Sequence, residues 1–241
     1  MSLRSLGLAS LLLASNVAFS SEPLSGWYAG LIAGGTITPS INFLLPGFTP
    51  YSNIPSKLSY GIGGNGGFQL GYRCDQLRFE GEFDFNYSPY NKLNIGGLII
   101  RKSSNINILR FKGSTQFFGA FANAYYELFA AENDISFVPY VGLGIGYAKI
   151  KQSFTIYTPA ISTPAFPLLY VPSVAISDSG SKSAPLGQAI IGINYFFDDV
   201  TSLGLDGRYI TSRQIRDFGN ERMVAETINL VLNFTFDQPN N

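Results

Sequence analysis

The sequence predicts an all-β fold, an eight-stranded antiparallel up-and-down transmembrane β-barrel, and three observations support this prediction. Residues 77–87 (LRFEGEFDFNY) alternate apolar or small residues with charged or polar ones over eleven positions, so a strand would separate them onto opposite faces. Charged residues make up only 13% of the 241 residues and aromatic residues 15%, whereas a soluble domain carries about 25% charged residues. The same alternation returns along the chain without helical segments, which favours a barrel whose apolar face contacts lipid.

The N-terminal region reads as a signal peptide covering residues 1–20. It has a basic residue at Arg4, an apolar stretch at 6–13 and the small-residue sequence Ala18-Phe19-Ser20 before Ser21. An uncleaved anchor is disfavoured because the apolar stretch is too short to span a bilayer. The sequence therefore predicts an exported protein whose barrel is formed by residues 21–241.

The strands follow from the alternating pattern. They are predicted at about residues 26–36, 58–73, 77–87, 113–128, 137–151, 184–196, 201–209 and 223–236. An even number of strands closes the sheet and leaves no backbone edge in lipid. The last strand ends in the aromatic residue Phe236, as in the assembly signal of bacterial outer-membrane proteins, which implies the outer-membrane assembly machinery as a partner.

The connections between these strands alternate in length. The long ones cover about residues 37–57, 88–112, 152–183 and 210–222, while those after the second, fourth and sixth strands are short. In outer-membrane barrels short turns face the periplasm and long loops face outward. We therefore expect four long surface loops at the cell surface.

Four segments resemble those of small eight-stranded outer-membrane barrels of the OmpA-barrel, OmpX and opacity-protein group: 26–30 (GWYAG), 122–127 (ANAYYE), 139–148 (PYVGLGIGYA) and 206–209 (DGRY). The resemblance implies a location in the outer membrane of a Gram-negative bacterium. It is a poor guide to activity, because the group includes adhesins, immune-evasion factors and structural anchors.

The charged face of the third strand predicts a network inside the barrel. An eight-stranded barrel is just wide enough for side chains to fill it, so inward charges should neutralise one another. The residues expected to do so are Arg78, Glu80, Glu82, Asp84, Asp206 and Arg208, with Lys149 also assigned to an inward face. A catalytic or proton-conducting role stays as the alternative, because carboxylates about 6–7 Å apart match the separation in inverting glycosidases.

The residue inventory argues against catalysis. The chain contains no His, the usual general base of outer-membrane hydrolases. The single cysteine, Cys74, lacks a partner thiol and is expected in a tight turn. The G-x-G-x-x-G match at residues 61–66 is followed by a strand pattern rather than the helix that dinucleotide binding needs. We therefore expect no enzyme activity, no cofactor, no metal and no nucleic-acid partner.

The second long loop is basic and predicts a binding surface. Its cations are Lys92, Arg101, Lys102, Arg110 and Lys112, and no acidic residue lies between Phe85 and Tyr126. Such a rim could contact the phosphates of lipopolysaccharide, or bind an anionic host glycan or a receptor protein. The sequence does not separate these partners.

The first and third loops contain the oily, nearly uncharged stretches 41–55 and 154–176. Exposed apolar segments mark partner or membrane contact, but these stretches could equally cap the barrel mouth or extend the strands as hairpins above the membrane. The sequence as a whole predicts a monomer surrounded by outer-membrane lipid and lipopolysaccharide. Its surface loops are predicted to serve binding or adhesion, with a host surface receptor as one partner. A small pore or a conduit for a hydrophobic ligand is the alternative, and a purely structural protein a third.

Overall fold

The computed structural model describes residues 25–46, 53–101, 110–128, 137–158, 161–163, 166–171, 174–213 and 222–237. The predicted signal peptide, residues 1–20, lies outside them. In the described part of the chain no helix is long and apolar enough to cross a membrane.

The described residues form thirteen strands. These are β1 (Gly26–Ile37), β2 (Ile41–Pro46), β3 (Asn53–Tyr60), β4 (Gly63–Cys74), β5 (Leu77–Ile95), β6 (Leu98–Arg101), β7 (Arg110–Glu127), β8 (Phe137–Thr158), β9 (Ile161–Thr163), β10 (Phe166–Val171), β11 (Val174–Phe196), β12 (Thr201–Ser212) and β13 (Val224–Asp237). Eight of them close a ring in the order β1, β4, β5, β7, β8, β11, β12 and β13, each antiparallel to its neighbours. The predicted eight-stranded antiparallel barrel is confirmed.

The barrel wall is apolar outside and polar inside. Leu143 and Ile145 on β8 are 70% and 75% exposed, and Phe83 on β5 is 55% exposed, whereas Glu82 and Asp84 on either side of Phe83 are buried. This distribution is the opposite of that in a water-soluble protein, which buries apolar side chains and exposes charged ones. In lipid the exposed apolar side chains are in their preferred solvent.

Glycines on the inner face make room for large side chains. A Cβ at Gly142 would lie 2.4 Å from the ring of Tyr125, and one at Gly192 would lie 2.5 Å from the ring of Tyr140. Two tyrosines therefore extend across the lumen over strands that have no side chain there.

The structure corrects the predicted loop and strand lengths. The predicted strand 58–73 is interrupted at Gly61-Ile62, between β3 and β4. The third strand continues past residue 87 to Ile95. Strands β8 and β11 remain paired as far as Thr158 and Val174. Much of the first three predicted loops is therefore β-structure. The described parts of the two oily stretches form hairpins that extend the strands, which was one of the alternatives for them.

The sheet at this end is a second structural unit, which we name the long-loop sheet. It comprises β2, β3, residues 90–95 of β5 and β6. Its apolar core contains the buried residues Tyr90, Leu93 and Ile100 together with Phe111 of β7. The opposite end of the barrel, with the turns 75–76 and 197–200, is the short-turn end.

A register irregularity separates the two units. Ser59 pairs with Lys92, but Tyr60 pairs with Tyr90, so Asn91 is an extra residue on β5. Below this bulge the even-numbered residues of β5 face the interior, and above it Leu93 does. One inserted residue exchanges the two faces of the strand.

Candidate functional site

Arg208 organises the charges in the middle of the lumen. Its Nη1 lies 2.6 Å from Glu82 Oε1, and its Nη2 and Nε donate hydrogen bonds of 2.8 and 3.0 Å to the two carboxylate oxygens of Asp206. Asn123 donates a 2.7 Å hydrogen bond to the other oxygen of Glu82. All four side chains are buried. The guanidinium therefore joins two carboxylates on opposite walls of the barrel, an arrangement that holds the wall in place.

A second cluster lies toward the short-turn end. Arg73 Nε is 3.0 Å from Glu127, and Arg78 bridges Glu127 at 3.3 Å and Glu80 at 3.4 Å. Tyr28 donates a hydrogen bond to Glu80. The Arg78 guanidinium also lies 4.2 and 4.6 Å from the ring centroids of two tyrosines, Tyr125 and Tyr140. Aromatic faces and carboxylates together surround this cation.

The structure places all six predicted network residues inside the barrel, at 5% exposure or less. Lys149 was assigned wrongly, because it shares the outward face of β8 with Tyr147 and is exposed. Arg73 and Glu127 were not among the predicted residues, although the alternation of β4 and β7 puts Arg73 on the same face as Gln69 and Glu127 on the same face as Tyr125. The described lumen holds three arginines against five carboxylates, and Asp84 stands outside the ion pairs described here.

The lumen network is built for packing. Glu82 is engaged through both oxygens. Among the described residues no group of three or more His, Cys, Asp and Glu side chains is placed to hold a metal ion. The arrangement of the lumen network supports a plugged barrel, in which buried charges are held by partners from several strands.

The predicted basic residues separate into different places. Lys92 on β5 and Arg101 on β6 are direct cross-strand partners. Lys112 is on β7, where its Nζ lies 5.7 Å from the ring centroid of Tyr157. Lys102 lies outside the described residues, as does the side chain of Arg110. Of the three predicted residues whose side chains the structure describes, Lys92 and Arg101 therefore lie together.

Lys57, which was not among the predicted basic residues, lies close to this pair. It lies opposite Asn94 on β5, and Asn94 in turn lies opposite Ile99 on β6, on the face that also carries Lys92. We name this the cationic face: Lys57, Lys92 and Arg101, with the polar neighbours Asn42, Ser59 and Asn94. The four segments of the long-loop sheet contain no acidic residue. Lys57 could be assigned to this face only from the pairing of β3 with β5, which joins residues 57 and 94.

The cationic face carries an electrostatic cost. Like charges directly opposite each other on neighbouring strands destabilise a sheet, and Lys92 and Arg101 are such a pair. The apolar side of the same sheet compensates by burying Leu93 and Ile100. An anion bound across the two cations would remove the repulsion.

The short-turn end carries exposed carboxylates: Asp75, Asp198 and Asp199. Glu132 and Asp134, in the connection between β7 and β8, lie outside the described residues. Asp198 accepts hydrogen bonds from the backbone N–H groups of Val200 and Thr201. These bonds favour the ionised form and lower the pKa of Asp198 below its usual value.

A cavity of 120 Å³ opens at the long-loop end of the lumen. Its lining includes the polar residues Asn86, Ser88 and Thr115 and the apolar residues Phe117, Ile150 and Ala225. The apolar lining residues belong to a buried cluster that continues into the barrel: Phe117, Phe121, Ala148, Ile150, Ala184, Leu186, Ile210 and Ala225.

A closed ring of eight strands, an apolar outer wall and a lumen filled with paired charges define the class of outer-membrane β-barrels. The chain belongs to the outer membrane protein beta-barrel domain family, whose sequence profile matches residues 6–236. This confirms the family resemblance and the location in the outer membrane of a Gram-negative bacterium. Comparison with curated protein sequences finds no match.

Solved structures of small outer-membrane barrels are similar in fold. OprG from Pseudomonas aeruginosa is 9% identical, with 90% of this chain and 98% of that chain covered and a TM-score of 0.52. Neisserial surface protein A is 13% identical, with 89% of this chain and 100% of that chain covered and a TM-score of 0.48. A third structure is Ail, the attachment invasion locus protein of Yersinia pestis, in complex with the heparin analogue sucrose octasulfate. It is 15% identical, with 88% of this chain and 99% of that chain covered and a TM-score of 0.41. At these identities the likeness shows the fold alone.

Proposed function

We propose that this outer-membrane barrel is a non-enzymatic binding or adhesion protein, and that its cationic face binds an anionic glycan outside the cell. The partner is a sulfated or phosphorylated glycan, on a host surface or in lipopolysaccharide. One observation carries the proposal: Lys57, Lys92 and Arg101 share one face of a hydrogen-bonded sheet that has its own apolar core. A flexible loop would lose more entropy on binding than this preorganised surface does.

The filled lumen supports the same proposal from the other direction. Arg73, Tyr28, Tyr140, Glu82 and Glu127 are almost completely buried inside the barrel. Since the interior is occupied by side chains, the surface available to a large partner is the part that extends beyond the lipid. The long-loop end is the cell-surface end by the loop-length rule.

The proposal is tested with a triple variant, Lys57→Thr, Lys92→Thr and Arg101→Thr. Threonine keeps the β-propensity of these strands. The purified full-length protein in detergent is passed over immobilised heparin as the polyanion probe, at increasing salt. We expect the variant to lose at least about tenfold in affinity, since charge-assisted contacts to anions are strong.

Arg213→Thr is the matched control, because Arg213 is an exposed cation at the same end but not on the cationic face. This control should bind heparin as the wild type does. Equal binding by the triple variant and the wild type would refute the proposal. Adhesion of cells that display each variant to heparan-sulfate-positive and heparan-sulfate-deficient host cells then separates a host glycan from lipopolysaccharide.

The mouth cavity favours a second candidate, a site for a small hydrophobic ligand. Its apolar wall, with Phe117, Ile150 and Ala225, is continuous with the apolar cluster inside the lumen. A cavity of 120 Å³ is slightly smaller than a cavity of about 150 Å³ that is known to hold one benzene molecule. Ile150→Trp should fill it, so loss of binding of a small apolar probe such as benzene would support this function.

Conductance tests whether the conduit is also a pore. The protein reconstituted in a planar bilayer should show no steady openings, because Arg208 is paired with Glu82 across the lumen and Arg78 is held by Glu80 and Glu127. Steady openings altered by Arg78→Glu would support a pore and contradict the plugged barrel.

A further inference from the structure

The outer wall of β7, β8 and β11 changes character abruptly above the lipid-facing belt. On β8, Val141, Leu143, Ile145 and Tyr147 are followed on the same outward face by two exposed lysines, Lys149 and Lys151. The two lysines are two positions apart, so their Cα atoms lie about 6–7 Å apart along the strand. Both extend from the barrel wall toward the surrounding membrane.

The neighbours of these lysines complete a continuous outward surface. On β11, Ser183 pairs with Lys149 and Ser181 with Lys151. On β7, Phe118 pairs with Lys149 and Gln116 with Lys151. Because directly paired residues of antiparallel strands point to the same side, all six side chains share one face. We name these six residues the lateral patch.

The surface above the lateral patch is rich in hydroxyl groups. Ser179 lies opposite Ser153, and Ser177 lies opposite Thr155, with a 3.0 Å hydrogen bond between the last two hydroxyls. The outward-facing residues of the described segments 112–118, 149–155 and 177–183 include no carboxylate. Asp178 points to the opposite face, since it pairs with Phe154.

The position of Lys149 identifies the kind of partner. It lies directly opposite Phe118 on β7, which is 61% exposed on the lipid-facing wall and lies against Phe85 at a centroid distance of 4.6 Å. A lysine at the upper edge of an apolar belt extends its ammonium group to the polar headgroups. Two cations flanked by hydroxyl and amide groups, without a carboxylate on their face, match a phosphorylated sugar.

We propose that the lateral patch binds the phosphorylated disaccharide headgroup of a glycolipid in the outer leaflet, with Lys149 and Lys151 on its phosphate groups and the serine hydroxyls on its sugar. The acyl chains of the same molecule lie along Tyr147 and Ile145. The inference rests on the proposed function only in placing the long-loop end outward, and it uses none of the residues of the cationic face.

The test is native mass spectrometry of the full-length protein in detergent micelles. Bisphosphorylated lipid A is one probe, and the same lipid A without its two phosphates is the other. We expect the wild type to bind the bisphosphorylated probe at least about tenfold more tightly. Lys149→Thr with Lys151→Thr should remove this preference, whereas Lys149→Arg with Lys151→Arg should keep it. Arg213→Thr, at an exposed cation outside both the cationic face and the lateral patch, is the matched control and should bind both probes as the wild type does.

The outcomes are separable. If the double threonine variant still prefers the bisphosphorylated lipid A, the proposal is overturned. It is also overturned if this variant loses affinity equally for both forms of lipid A, because the two lysines would then contact only the apolar part of the lipid. Heat-dependent electrophoretic mobility reports whether each variant is folded. If the double threonine variant is not, the single variants Lys149→Thr and Lys151→Thr decide the question, since each should lose part of the preference. The double threonine variant should still bind heparin, so failure of the lateral patch and failure of the cationic face are measured independently.

Discussion

Strand β5 passes through two environments and buries opposite kinds of residue in them. Between Leu77 and Tyr90 its interior positions are Arg78, Glu80, Glu82, Asp84, Asn86, Ser88 and Tyr90. Beyond Asn91 its interior position is Leu93, and Lys92 faces outward. One extra residue in the register separates these two arrangements.

The difference teaches what sets the polarity of a sheet. Burial of a leucine side chain from water contributes about 1.5–3 kcal/mol, so the long-loop sheet buries Leu93. Phe83 gains nothing comparable by leaving lipid, so the barrel leaves it outside and fills its lumen with charges that hold one another. The bulge at Asn91 lies between the barrel wall and the long-loop sheet.

Removing Arg208 should produce the largest effect. Arg208→Ala leaves the buried carboxylates of Glu82 and Asp206 without their cation, which costs about 3–5 kcal/mol of the free energy of unfolding. Urea unfolding of the protein in phospholipid vesicles measures this loss. Arg213→Ala, at an exposed arginine, should change the free energy by less than about 0.5 kcal/mol. Equal effects of the two variants would contradict a structural role for the lumen network.

Truncating the core of the long-loop sheet should be nearly as costly, but only locally. Leu93→Ala should destabilise that sheet by about 2–3 kcal/mol because it leaves a cavity between Tyr90 and Ile100. Limited proteolysis should then cut the long-loop sheet while the barrel keeps its heat-dependent electrophoretic mobility. Leu98→Ala, at an exposed leucine of β6, should leave the proteolysis rate unchanged. Loss of the barrel itself would show that the two units are not separable.

Reversing one charge on the cationic face should have a smaller effect of opposite sign. Arg101→Glu replaces a like-charged pair with Lys92 by an attractive one, which should stabilise the long-loop sheet by about 0.2–1 kcal/mol. The proteolysis rate should fall and heparin binding should fall with it. A variant that is more stable yet binds heparin normally would separate the cationic face from function.

The smallest effect is expected at the short-turn end. Because the pKa of Asp198 is lowered in the folded protein, its carboxylate stabilises the turn above the unfolded pKa of about 3.9. That contribution is lost as the pH falls through the lower, folded pKa. The difference in unfolding rate between the wild type and Asp198→Ala should therefore be present at pH 6 and disappear in strong acid. A difference that does not depend on pH would mean that the carboxylate charge is not involved.

The sequence was a good guide wherever a strand keeps its two-residue period. The alternation of residues 77–87 predicted the lipid-facing aromatic residues and the inward carboxylates of β5, and the strand count predicted the closed barrel. The same reasoning failed at Gly61-Ile62 and at Asn91, because a bulge reverses the faces without any change in composition. It also failed at Lys149, since charge alone suggested an inward position that the parity of β8 excludes.

The sequence by itself determined that this chain is an outer-membrane barrel, because lipid-facing alternation and low charge are properties of local composition. Only the tertiary structure decided which residues form surfaces together. Lys57 meets Lys92 and Arg101, and Lys149 meets Ser183, through pairing between strands that are distant in the chain. Register is set by the whole closed sheet, so neighbours across strands are fixed only when every strand has its place.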